Sequence, residues 1–306
     1  MHNRQDTSWR KEVERCTRLY EGFAEAVPFV RAVCECVDGF RQDHPITPQP
    51  AVDPEEAADM LRAGRSLGAN PAIDTEDAVE LLTRISEALL EANPELEATL
   101  KVLEERLEQF VLNSPDKVSK EDMWRLCDSL IKETELEQDL ATFLFSTTLS
   151  FLYRGYLQLT AEALRTDLWQ EGNCPLCAEK PHYGLLRPQD GAKELECWLC
   201  GTQWVHSRIK CPFCGNEEQE DLGYFTVEDQ EICRVSFCQR CRQYLKIIDA
   251  RKFDASGGII LSIHNLASLS HDLLARQEGF APGSGLEWVN PGEITDRHKA
   301  TGKIIS

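Results

Sequence analysis

Eight cysteines form four CxxC pairs in one stretch of the chain: Cys174/Cys177, Cys197/Cys200, Cys211/Cys214 and Cys238/Cys241. Two thiolates on one tight turn supply half of the tetrahedral shell that a soft ion such as zinc or iron takes, at little loop-closure cost. Nineteen residues separate the first pair from the second, and twenty-three the third from the fourth. The first spacing is usual for a ribbon-type site and the second lies just beyond that range. Pro175 and Pro212 follow the first cysteine of the first and third pairs (CPLC, CPFC), whereas CWLC and CQRC have no proline. The segment is therefore one CPxC…CxxC module written twice. This internal repeat favours sequential pairing over interleaving: Cys174, Cys177, Cys197 and Cys200 as site 1, and Cys211, Cys214, Cys238 and Cys241 as site 2. Two metal ions are expected, and the sulfur ligands alone do not choose between iron and zinc.

The elements that must carry these sulfurs are short strands. Alternating or aromatic character runs through Leu195, Cys197 and Leu199, and through 203–209, 224–227, 232–237 and 244–248. A hairpin ribbon with a sulfur-bearing turn at each end is the natural arrangement. A glycine just after the second cysteine of a turn accepts the positive φ that aims backbone N–H groups at sulfur. Gly201 and Gly215 fit that role, while Ala178 and Arg242 take the equivalent places in the other two turns, which are expected to be strained or differently turned.

Redox chemistry is the rival reading of the pairs, either as a thioredoxin-like dithiol or as extracellular disulfides. The amino-terminal MHNRQDTSWRKEVER lacks the apolar run of a signal peptide, so a reducing, cytoplasmic location is expected, where metal binding outranks disulfides. Cys16, Cys34, Cys36 and Cys127 lie in helical-looking segments and read as small buried hydrophobes. Cys233, inside the second module, reads as a strand residue facing the core, with an accessory thiol as the alternative.

The 306-residue chain carries a net charge of −19, and residues 1–170 hold 33 acids against 18 bases. Residues 174–249 hold nine bases against twelve acids. Neither part has the basic field that phosphate binding needs, so a nucleic-acid partner is disfavoured. Residues 1–170 are expected to be helical, with apolar spacing over 13–27, 29–40, 57–61, 78–90 and 96–111, and further helices over 121–131 and 140–164. Ser119 and Asp122 have the spacing of a capping box, and Pro45, Pro48, Pro50 and Pro54 mark a loop. The apolar run 141–153 is too short to span a membrane and reads as a buried central helix. Residues 262–277 are expected to form one amphipathic helix carrying His264 and His271, which have no acidic partner nearby in sequence and read as solvent or satisfied core histidines. The tail from Gly279 is expected to be poorly ordered.

The fold class expected is α+β: an acidic all-α domain (1–170), two tandem four-cysteine β modules (171–210 and 211–250), and a carboxy-terminal helix and tail (251–306). No GxSxG, GxxxxGK[ST], HExxH or glycine-rich dinucleotide loop occurs. His182 and His206 lie near cysteines, but eight paired thiols need neither. Closed sulfur shells leave no position for substrate, which argues against metal-centred hydrolysis.

The run CPLC at Cys174, LECWLC at Leu195, Trp204, Arg208, Cys211, Cys214, CQRC at Cys238 and Tyr244-Leu-Lys246 resembles the formate dehydrogenase accessory protein family, FdhE. The resemblance is specific over 174–248 and departs from the family's glycines at Ala178 and Arg242. It implies rubredoxin-like modules, favours iron, and implies a non-catalytic cytoplasmic assembly factor that binds the formate dehydrogenase catalytic subunit. The alternatives are a rubredoxin-like electron-transfer or redox-sensing protein and, third, a zinc-ribbon protein of nucleic-acid metabolism.

Overall fold

The computed structural model describes residues 8–134, 136–227, 230–286 and 303–305. The first 170 residues build helices from the expected apolar stripes: α1 (Trp9–Leu19), α2 (Phe23–Asp43), α3 (Pro54–Arg62), α4 (Thr75–Ala92), α5 (Glu97–Asn113), α6 (Lys120–Glu133), α7 (Gln138–Tyr156) and α8 (Gln158–Ala163). Two boundaries differ from the sequence reading. The first break falls at Gly22, whose φ of 83° an L side chain resists, and Pro28 instead lies inside α2. The stretch expected as one helix over 140–164 is interrupted at Leu157, where the chain passes from α7 to α8.

The local signals that start helices operate as expected. Asp53 accepts from Glu55 N and Glu56 N ahead of Pro54 at the start of α3. Ser119 and Asp122 form a reciprocal capping box on α6. Helix α7 is the centre of the helical region, with Ala141 through Tyr153 buried on nearly every side. A helix apolar all round must be surrounded by protein, which is why the most hydrophobic run of the chain ends up innermost.

Ile73–Asp74 (β1) and Lys117–Val118 (β2) pair as a short ladder within the helical region, and the other strands form one sheet. Between β3 (Pro181–Leu186), β4 (Lys193–Cys197), β5 (Gln203–Val205), β6 (Leu222–Thr226), β7 (Cys233–Cys238) and β8 (Gln243–Asp249), pairing runs in the order β6-β7-β8-β3-β4-β5. The β3–β4–β5 and β6–β7–β8 meanders are antiparallel, and β3 lies parallel to β8 with Tyr183 opposite Lys246. The two tandem modules are thus welded edge to edge. Strand β3 makes that weld and was not anticipated, because Pro181 and Gly184 weaken its strand pattern. Gly184 is needed there: a Cβ would meet the Glu194 carbonyl oxygen at 2.6 Å.

Beyond β8 the single helix expected over 262–277 is two, α9 (Leu261–Ala267) and α10 (Leu269–Gln277), broken at Ser268. The reason lies on β8. The ammonium of Lys246, only 2% exposed, takes the carbonyl of Asn265 at 2.8 Å and Asp272 Oδ2 at 2.5 Å, so the chain opens to satisfy a buried cation. Tyr244 donates to the same Asp272 at 2.6 Å. Residues 279–286 are packed in place, contrary to the expectation of disorder. Phe280 and Leu286 are buried and Ala281–Pro282 (β9) pairs with β8. The rest of the tail lies outside the described residues, except Lys303–Ile305 (β10), which pairs with β6.

One apolar core runs from α4 and α7 through Leu176, Leu195, Trp198 and Trp204 and includes the four cysteines of the first module. A second joins α1 and α2 to Tyr183, Leu185, Ile248 and α9. A third holds β6 and β7 against α10.

Candidate metal centres

All four CxxC pairs adopt the same turn. The amide four residues after each first cysteine returns to that cysteine's carbonyl: Ala178 to Cys174 (3.1 Å), Gly201 to Cys197 (3.1 Å), Gly215 to Cys211 (3.0 Å) and Arg242 to Cys238 (2.9 Å). The donors sit at φ 67°, 70°, 72° and 57° in that order. Ala178 and Arg242 are the non-glycine residues with positive φ among the described residues. The turns at these departures are therefore strained rather than differently folded.

The turns bring the sulfurs together in the sequential pairing. Cys174, Cys177, Cys197 and Cys200 place their Sγ atoms within 4.8 Å of one another, and so do Cys211, Cys214, Cys238 and Cys241. A tetrahedron with about 2.3 Å metal–sulfur bonds has edges of about 3.8 Å. In the second group Cys211–Cys241 and Cys214–Cys238 are each 3.8 Å apart. In the first group Cys174–Cys200, Cys177–Cys197 and Cys177–Cys200 are slightly tighter, at 3.4–3.5 Å. The thirteen cysteines are free thiols. Each group offers four soft donors and fits one ion of zinc or ferrous size, with no room in the shell for a substrate.

The surroundings of the two groups differ. The first is wholly buried. Burial drives the Cys174 and Cys197 thiols well up. Burial also acts upward on Cys200, but hydrogen bonds from the three other thiols and Thr202 outweigh it and hold Cys200 low. A divalent ion bound here would displace the protons that the raised thiols hold. The helical region grips these turns: Ser66 donates to the Cys174 carbonyl at 3.0 Å, Ser150 on α7 to the Trp198 carbonyl at 2.8 Å, and Lys120 on α6 pairs with Glu179. Arg154 on α7 reaches Glu196 at 2.9 Å, and its guanidinium packs over Gly201. The second group is open, with Cys214 exposed and Cys241 half-buried. Burial raises Cys211 to about 11, whereas at Cys238 the amides of Cys241 and Arg240 overcome burial and lower the thiol.

His182 and His206 join neither group. His182 meets Ser284 and His206 the Ser207 carbonyl. Cys233 is buried in β7, its thiol pushed up to about 12 by burial. Sequence reasoning missed one cluster, Glu12, Cys16 and His264, all buried within 4.8 Å of one another. Glu12 Oε1 lies 2.7 Å from His264 Nε2, Tyr20 Oη lies 2.8 Å from Nδ1, and Arg15 clasps Glu12 at 2.8 Å. The acidic partner that His264 lacks nearby in sequence stands 252 residues away. The spacing of Glu12, Cys16 and Tyr20 on successive turns was the available signal.

Fold and site together define a tetrathiolate ribbon protein: a helical region docked on one sheet that presents two four-sulfur turn pairs. No protein-family model matches the chain. It is similar to the protein FdhE homolog of Aquifex aeolicus, with 31% identity over 166 residues, covering 53% of this chain and 56% of that one. It is also similar to protein FdhE of Salmonella enteritidis, with 27% identity over 217 residues, covering 69% of this chain and 66% of that one. The matched segments thus span about three-fifths of these relatives' length. The crystal structure of the FdhE protein from Pseudomonas aeruginosa shares the fold, with a TM-score of 0.60 and 22% identity over 95% of this chain and 98% of that one. These likenesses, in sequence to FdhE proteins and in fold to one of them, support the FdhE family for this chain.

Proposed function

We propose that this protein is a formate dehydrogenase accessory factor that binds the catalytic subunit of that enzyme in the cytoplasm, helps bring it to its active state, and catalyses no reaction itself. In this reading the eight CxxC cysteines are the ligands of two metal ions, and the modules at 171–210 and 211–250 are the scaffold on which the helical domain (1–170) and the segment 251–306 are mounted. The observation that carries it is the closure of both sulfur groups: four cysteines complete each shell and leave no coordination position for a reactant. The FdhE name of the relatives supports the choice of client. No helix of the described residues is long and apolar enough to cross a membrane, in keeping with a client met before it reaches one.

The test is affinity capture of the tagged full chain from anaerobic cytoplasm, with metal analysis of the same sample, paired with deletion of the gene. The reading expects the dehydrogenase catalytic subunit in the eluate, two ions per chain, and loss of formate dehydrogenase activity while unrelated molybdoenzymes keep theirs. Two metals with no dehydrogenase subunit, or retained activity in the deletion strain, would sink it. One observation favours redox sensing as a second role: Cys214 reaches solvent, so an iron ion in the second group could exchange electrons with an outside partner. A visible iron spectrum that bleaches and returns on reduction and reoxidation, and is lost in Cys214→Ser, is the expected signature of that role.

A further inference from the structure

A groove of about 240 Å³ opens beside the second sulfur group, between the turn at Cys211 and the faces of β6 and β7. Four cations line it, Lys193, Arg208, Lys210 and Arg234, and no carboxylate does. In a chain of net charge −19 this is a local reversal of sign. A divalent ion in four thiolates leaves a formal charge of −2, so some positive charge belongs there as counter-charge. The two lysines account for it: Lys193 donates to the Lys210 carbonyl at 3.2 Å, next to Cys211 in the chain, and Lys210 faces Glu217 at 3.5 Å.

The two arginines remain. Among the described residues neither Arg208 nor Arg234 is held in an ion pair, and the buried Nε of Arg234 has no hydrogen-bond partner. The Tyr224 ring lies 4.9 Å from the Arg234 guanidinium and covers one of its faces. Burial first, and then the Arg208 charge, push the Arg234 guanidinium down from its usual range, and Asp249, itself clasped by Arg251, offsets this only in part. A buried donor left unsatisfied is costly, and a guanidinium fork matches an oxyanion with two parallel hydrogen bonds. Arg208 also belongs to the sequence motif over 174–248, yet it supports neither sulfur group by any contact described above.

We propose that this groove is a binding site for a small oxyanion, a carboxylate or a phosphate, held by Arg208 and Arg234 against the Tyr224 ring. The space suits a small anion and is below the size usual for drug-sized ligands. The proposal does not depend on the dehydrogenase being the client.

The experiment titrates the metal-loaded full chain with sodium phosphate and, separately, with sodium acetate. Chloride is exchanged to keep ionic strength constant, and heat of binding and thermal unfolding are recorded. The expected result is saturable binding of at least one of the two anions with a matching rise in Tm. Phosphate alone would mark a phosphoryl site, and acetate alone a carboxylate site. Arg208→Gln, at an exposed position, and Arg234→Lys, which keeps the charge but loses the fork, should each weaken binding about tenfold while two metal ions are retained. No saturable binding beyond the chloride control, or binding unchanged in both variants, would overturn the proposal.

Discussion

The two strained sulfur turns allow the backbone to be tested apart from the ligands. Ala178 is exposed at φ 67°, and its amide closes the Cys174 turn. A left-handed L residue costs about 1–2 kcal/mol, and the greater freedom of glycine in the unfolded chain takes back about 0.4–1 kcal/mol. The methyl group of an exposed alanine buries little, so Ala178→Gly should stabilise the protein by about 0.5–1 kcal/mol, a Tm rise of roughly 1–3 °C for a chain of this size. Arg242, at φ 57°, gains the same backbone relief on replacement but loses more. Its guanidinium donates to the carbonyls of Glu278 at 2.7 Å and Gly279 at 3.1 Å and lies 4.1 Å from the Phe280 ring centre. Those contacts contribute about 1–2 kcal/mol at an exposed site, so Arg242→Gly should lower stability despite the relief. Both variants should be metal-loaded and followed by thermal and urea unfolding, with metal content measured alongside. A neutral or destabilising Ala178→Gly at full metal content would refute the strain argument, and equal stabilisation by both variants would refute the role given to the Arg242 side chain.

The unequal exposure of the two groups predicts biphasic metal release to a competing chelator, one equivalent leaving fast from the group with exposed Cys214 and the other slowly from the buried group; a single phase would contradict the assignment. Loss of the buried Glu12–His264 hydrogen bond should cost about 1–3 kcal/mol when Glu12→Ala or His264→Ala removes one partner, and urea unfolding of the double variant should show a loss smaller than the sum. His271 is buried with Nε2 3.1 Å from the Cys233 carbonyl, and burial, then the Lys246 charge, lowers its pKa to about 4. Its unfolded state takes up the proton first, so stability should be full above about pH 6.5 and fall toward pH 4, by about 3 kcal/mol from this residue. A His271→Gln variant should show a correspondingly flatter pH profile between those limits in urea unfolding, and an unchanged slope would refute it.

The chemistry of this protein is written locally and its scaffold is not. Four CxxC pairs, two prolines and the repeat of the module were enough to predict which sulfurs would meet, because each four-residue turn closes through its own backbone and one hairpin joins the two turns of each module. Apolar spacing determined most of the helices for the same reason, and the buried α7 and the Ser119 cap were legible from adjacent residues. What only the tertiary structure decided depends on partners distant in sequence. Lys246, on a strand, breaks a helix that the apolar pattern alone would continue, since a buried ammonium must find oxygens. Glu12 satisfies His264 across 252 positions. Strand β3, weak by its own residues, is held by β4 on one side and β8 on the other and fuses two modules that the repeat pictures as separate. The two sulfur groups, equivalent in sequence, become a sealed and an open centre because the helical core closes over one of them and leaves the other at the surface.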